Sequence, residues 1–137
     1  MPELRYDNRV AIVTGGGRGL GRAYALLLAA RGAMVVVNDI GGNIRGDEVI
    51  EDPAADVVAE IKAAGGEAVA ITDSVASVAG GKAIIDAAMD SWGRLDILIP
   101  NAGNVRRGAL DVISHEDFQS VIDVHMQGAW NLVRPGF

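Results

Sequence analysis

The chain has 137 residues, 50% hydrophobic and 4% aromatic, with a formal net charge of −6 and no cysteine. That length holds one domain, residues 1–137, whose core must be built from Val, Ile, Leu and Ala. The acidic balance argues against nucleic-acid or anionic-membrane partners, and zero cysteines exclude disulfides, thiolate metal sites and a cysteine nucleophile.

The apolar run Val10–Val13 predicts the first strand, which empties into Thr14-Gly15-Gly16-Gly17-Arg18-Gly19-Leu20-Gly21. A helix from Gly19 to about Ala30 follows at once, closed by Arg31-Gly32 with Gly32 as its C-terminal glycine. Ala33–Val37 reads as a second strand with apolar residues on both faces, as a covered parallel sheet requires. Asp39 to Asp52 is a polar loop, longer than the usual connection. Pro53 suits the first turn of a helix reaching about Ala64, and Gly65-Gly66 ends it. Ala68–Ile71 is a short third strand, and Val78 to Trp92 a helix weakened at its start by Gly80-Gly81. Asp96–Ile99 is the fourth strand, broken by Asn101-Ala102-Gly103-Asn104. Ser114-His115-Glu116-Asp117 resembles a capping box, opening a helix to about Val133 that Pro135-Gly136 should stop.

Strands alternating with crossover helices predict an α/β fold, a doubly wound parallel sheet of Rossmann-like type. Right-handed crossovers give the strand order 3-2-1-4. A crevice then opens at the C-terminal ends of strands one and four, where both glycine-bearing turns fall. The N-terminus lacks a charged-then-apolar leader, and no apolar stretch approaches the roughly 18 residues of a membrane span. A cytoplasmic protein is the expectation.

A strand, a glycine turn and a helix start, in that order, make a platform for a dinucleotide pyrophosphate. Glycine lets the backbone approach phosphate oxygens, and the helix aims free N–H groups and a positive dipole end at them. Taken alone, a glycine motif can equally be a tight turn. Here an acid, Asp39, stands at the end of the second strand, where it can accept both ribose hydroxyls and repel a 2′-phosphate. Arg18 points the other way, since a guanidinium there could take a 2′-phosphate, or it could pair with Asp39. NAD is favoured over NADP. Asp73, with Ser74 and Val75, stands level with an adenine, though Asp73 could instead cap the next helix. His125 is expected to face inward beside Val121, Val124 and Gly128 as a structural residue, too far from His115 for a helical metal pair. Arg106-Arg107 is read as a solvated loop near the crevice, and Trp92 and Trp130 as packing residues.

These residues resemble the short-chain dehydrogenase/reductase family over essentially the whole chain: Thr14-Gly15…Gly19…Gly21, Asp39, Asp73, Asn101-Ala102-Gly103 and the helix Val121–Leu132. Within it, Gly21–Ala25, Val35–Gly42 and Asp73–Val75 are similar to the (3R)-hydroxyacyl-CoA dehydrogenase domain of multifunctional β-oxidation enzymes. The resemblance implies that Gly15, Arg18, Gly19 and Leu20 line the pyrophosphate turn and that Asp39 takes the adenosine ribose. Ser74 and Val75 would meet the adenine, and Asn101, Ala102 and Gly103 would lie along the cofactor towards the nicotinamide ribose.

Three departures stand out. Pro100 replaces the second Asn that usually precedes Asn-Ala-Gly, which removes a backbone donor. His125 occupies the position of a catalytic-relay Asn. The family's Ser and Tyr-x-x-x-Lys group follow a further strand, and the sequence ends at Phe137 before it. The expectation is therefore the cofactor-binding half of an NAD-dependent oxidoreductase acting on a secondary alcohol or ketone, a 3-hydroxyacyl-CoA among the candidates, C-terminally truncated and inactive alone. The alternative is an inactive nucleotide-binding fragment. No catalytic residue is assigned, and the resemblance implies homo-oligomers. With its sheet incomplete, the chain is expected to fold poorly in isolation.

Overall fold

The computed structural model of the chain describes residues 3–43, 45 and 51–137. Much of the loop expected between Asp39 and Asp52 (residues 44 and 46–50) lies outside the described residues. Four parallel strands, β1 (Val10–Thr14), β2 (Met34–Asn38), β3 (Ala68–Ile71) and β4 (Ile97–Ile99), form one sheet in the order β3-β2-β1-β4. The expected fold class and strand order are those observed. Register runs Val10↔Met34 to Thr14↔Asn38 across β1 and β2, and Ala11↔Ile97 to Val13↔Ile99 across β1 and β4.

Side chains alternate across each strand, so the two faces of the sheet seed two cores. Ala11, Val13, Val35 and Val37 face α1 (Gly19–Ala30) and α2 (Pro53–Ala63), meeting Ala25, Leu28, Val57 and Ile61. Val10, Ile12 and Val36 face α3 (Val78–Trp92) and the C-terminal helix, meeting Ile84, Ile85, Ala88 and Leu132. Every β1 residue is fully buried. Burying one such Val or Ile contributes about 2 kcal/mol, which is why the centre of the sheet carries no charge.

Helix ends follow the chemistry of their flanking residues. Asp52 caps α2 through the Ala55 amide at 3.0 Å, with Pro53 in the first turn, and Ser77 caps α3 through the Gly80 amide at 3.0 Å. α3 begins at Val78 with Gly80 and Gly81 in its first turn. A Cβ on Gly80 would stand 2.0 Å from the Ser74 carbonyl, and one on Gly81 would stand 2.5 Å from the Asn131 carbonyl. These glycines let the helix start pack on its neighbours. Asp96 stays outside β4, yet its carboxylate accepts the Val10 amide at 2.8 Å and so joins the starts of β4 and β1.

The last helical stretch departs most from expectation. It comprises α4 (His115–Ile122), a π-helical turn at Asp123–Gln127 and α5 (Gly128–Gly136). Ser114 caps α4 through the Asp117 amide at 3.0 Å, but the capping box is not closed from the other side. The Asp117 carboxylate accepts Arg106 Nε at 2.9 Å instead. Pro135 does not stop the helix, because in a last turn it removes one donor only, and the Phe137 amide still reaches the Val133 carbonyl at 3.0 Å. Trp92 packs on the second core as expected, whereas Trp130 is 61% exposed. No described helix is long and apolar enough to cross a membrane.

Candidate functional site

A cleft of about 580 Å³ opens where the β1 and β4 turns leave the sheet. Its floor is set by one hydroxyl: Thr14 Oγ1 accepts the amides of Asn101 and Ala102, each at 3.1 Å. Asn101 answers from the other turn, its Nδ2 donating to the carbonyls of Thr14 (3.0 Å) and Gly15 (3.2 Å). The Asn101 side chain therefore braces the glycine turn, while its backbone and those of Ala102 and Gly103 border the cleft.

The glycine turn is shaped for close approach. Gly15 has φ +61, and a Cβ there would lie 2.9 Å from Ala102 Cα. Gly21 lets α1 press on the turn, since a Cβ would lie 2.1 Å from the Gly15 carbonyl oxygen. Gly19 differs. Its φ is +53 and nothing lies within 4 Å of the Cβ position, so it faces open space. At this end α1 has no side-chain cap and no acidic residue in its first turn. Its first amides are thus free for an anion, with the dipole's positive end behind them.

Asp39 leaves β2 beside this turn. Its Oδ2 accepts the Gly17 amide at 3.0 Å and its Oδ1 the Gly41 amide at 2.9 Å, so the acid holds both the glycine turn and its own loop. The expected alternative, pairing with Arg18, is not formed. Arg18 Nη1 donates to the Gly42 carbonyl at 2.9 Å and Nη2 pairs with the Glu51 carboxylate.

Of the expected residues, Gly15, Arg18, Asp39, Ser74, Val75, Asn101, Ala102 and Gly103 line the cleft. Gly19, Leu20 and Asp73 are not among its lining residues. Leu20 is 67% exposed on the first turn of α1. The Asp73 side chain is exposed at the end of β3, its carbonyl accepting Asn38 Nδ2 at 2.9 Å, and it caps no helix because Ser77 does.

Two residues overlooked in the sequence complete the frame. Asn38 is 1% exposed and its Nδ2 ties the ends of β2 and β3 through the carbonyls of Ile71 (3.1 Å) and Asp73. A lone polar residue closing the run Val35–Val37 was the available signal. Asn104 is buried in the cleft wall, its Nδ2 donating to the carbonyl and hydroxyl of Ser120 at 3.3 Å. His125 does not face the core. The π turn directs its Nε2 to the Asn104 backbone, 3.2 Å from the amide and 3.0 Å from the carbonyl oxygen. Arg106 is not solvated either, with a side chain 11% exposed and paired to Asp117.

The pattern of a short chain dehydrogenase matches residues 9–136. The chain belongs to this family. Among relatives of the short-chain dehydrogenase, the peroxisomal multifunctional enzyme type 2 of Drosophila melanogaster is 50% identical over 135 residues, 98% of this chain and 22% of that protein. A short chain dehydrogenase from Mycobacterium avium shares the fold at a TM-score of 0.86 with 46% identity, over 95% of this chain and 45% of that one. A short chain dehydrogenase from Mycobacterium paratuberculosis, solved bound to NAD, gives a TM-score of 0.86 with 35% identity, over 95% of this chain and 49% of that one. This short-chain dehydrogenase chain thus spans about a fifth of the first relative and about half of the solved ones.

Proposed function

We propose that this chain binds NAD for an oxidoreductase acting on a secondary alcohol or ketone, with a 3-hydroxyacyl-CoA as substrate. The observation that carries the reading is the uncapped start of α1 beside Gly19, with the Asp39 carboxylate on the same rim. The residues fit a dinucleotide. The uncapped first amides of α1, from Gly19 and Leu20, suit the diphosphate, Asp39 suits the adenosine ribose, and Ser74 with Val75 lines the cleft where an adenine would lie. Ala102 and Gly103 bound the opposite end, where the nicotinamide ribose would lie.

Asp39 binds and excludes at once. Its carboxylate accepts from ribose hydroxyls, and its charge opposes a phosphate placed on the 2′ oxygen. The nicotinamide, when bound, supplies the hydride acceptor or donor. This chain's contribution is orientation, through turns whose backbone Thr14 and Asn101 hold rigid. The acyl-CoA class rests on the likeness to the multifunctional enzyme.

Titration with NADH and NADPH tests the reading. Wild type should bind NADH more tightly, and Asp39→Ala should weaken NADH while narrowing the ratio by about tenfold, the equivalent of about 1.4 kcal/mol. Failure of wild type to bind either nucleotide overturns the proposal, and an unchanged ratio removes Asp39 as selector.

A further inference from the structure

Just outside the cleft lining stands an acid, Glu51, whose position is fixed by backbone packing. Glu51 follows the loop after β2 and directly precedes Asp52, the cap of α2. Its carbonyl is nested against Gly41, where φ is +72 and a Cβ would lie 1.9 Å from the Glu51 oxygen. Gly41 in turn donates its amide to Asp39 Oδ1. Asp39, Gly41 and Glu51 are therefore locked in sequence along one edge of the site.

Opposite them stands Arg18, the residue at the start of α1. A guanidinium carries five donors in a planar fork suited to phosphate oxygens, and unengaged it would favour a 2′-phosphate on the adenosine ribose. It is engaged. The Gly42 carbonyl takes Nη1 and the Glu51 carboxylate takes Nη2. The other cation lining the cleft, Arg106, is held by Asp117.

We propose that Glu51 is a specificity-determining residue: by holding the Arg18 guanidinium against the loop, it denies a 2′-phosphate its counter-ion and adds negative charge beside the cleft. The inference rests on the nicotinamide-cofactor reading above. It assigns exclusion to two acids with different tasks. Asp39 faces the ribose itself, and Glu51 disables the arginine that could compensate. An arginine in the glycine turn is thereby reconciled with an acid at the end of β2.

The test uses the full chain and measures dissociation constants for NADH, NADPH, 5′-AMP and adenosine 2′,5′-bisphosphate by calorimetry. Both side chains are about half exposed, at 43% and 55%, so the pair is partly screened. Glu51→Gln should tighten NADPH and the bisphosphate by about three- to tenfold while leaving NADH and 5′-AMP within about twofold. Glu51→Asp, which keeps the charge, should retain the wild-type preference. Adding Arg18→Met to Glu51→Gln should erase the gain. An unchanged NADPH to NADH ratio in Glu51→Gln, or a Glu51→Asp variant as relaxed as Glu51→Gln, overturns the role of Glu51 while NADH binding by wild type stands. Absence of NADH binding by wild type overturns the cofactor reading beneath it.

Discussion

The Thr14 hydroxyl sits 3.1 Å from the Asn101 amide, and this one contact couples the ends of β1 and β4 across the cleft. The same oxygen accepts the Ala102 amide, so one side chain at the end of β1 gathers two donors just beyond β4, of which Asn101 also reaches the Ile99 carbonyl at 2.9 Å.

Replacing Thr14 by Val keeps the shape and deletes the acceptor. The Ala102 amide then loses its partner beside a fully buried position, while the Asn101 amide keeps the Ile99 carbonyl at 2.9 Å, for a cost of about 1 kcal/mol. The urea midpoint should fall with an unchanged slope, and Thr14→Ser should recover most of the loss. A Thr14→Val midpoint equal to wild type would show that water replaces the hydroxyl.

Gly19 and Gly21 stand two residues apart and should fail differently. Alanine at Gly19 meets open space but must adopt φ +53, at about 1 kcal/mol in stability, and its methyl enters the anion position. NADH affinity should drop by about tenfold or more with folding nearly intact. Alanine at Gly21 meets the Gly15 carbonyl at 2.1 Å, so α1 must shift and about 3 kcal/mol of stability is lost. Calorimetry of binding and unfolding on the two variants separates these outcomes. Equal loss of stability in both would refute the distinction.

Acid should loosen the junction of β1 and β4. Asp96 is held down to about 2, from an ordinary 3.8, first by hydrogen bonding to Arg94, then by the Val10 amide. Its folded-state value is depressed, so its contribution is present above about pH 4 and is lost as pH falls towards 2. Asp96→Asn should therefore cost about 1 kcal/mol at neutral pH, allowing for the half-exposed Arg94, and flatten the stability profile between pH 4 and 2. Parallel acid profiles for wild type and variant would contradict this.

The sequence was most legible where local chemistry acts alone. Pro53 placed the start of α2, and the helical stretch Val78–Trp92 matched both ends of α3, because a helix's first turn and an apolar run are settled by near neighbours. Position along the chain likewise put Ser74, Val75 and Ala102 at one crevice, since right-handed crossovers leave few topologies open. Asp73 does not cap the next helix, because Ser77 stands closer to its start and takes the Gly80 amide.

The sequence by itself determined the order of elements, the two apolar faces and the glycine turn that opens α1, all of which depend on spacing within the chain. Only the tertiary structure decided which polar groups meet. Asn101 and Thr14 are 87 positions apart, Arg18 and Glu51 are 33 apart, and Arg106 finds Asp117 across a turn. Hydrogen bonds act over about 3 Å and are blind to distance along the chain, so partners become readable once packing has brought them together.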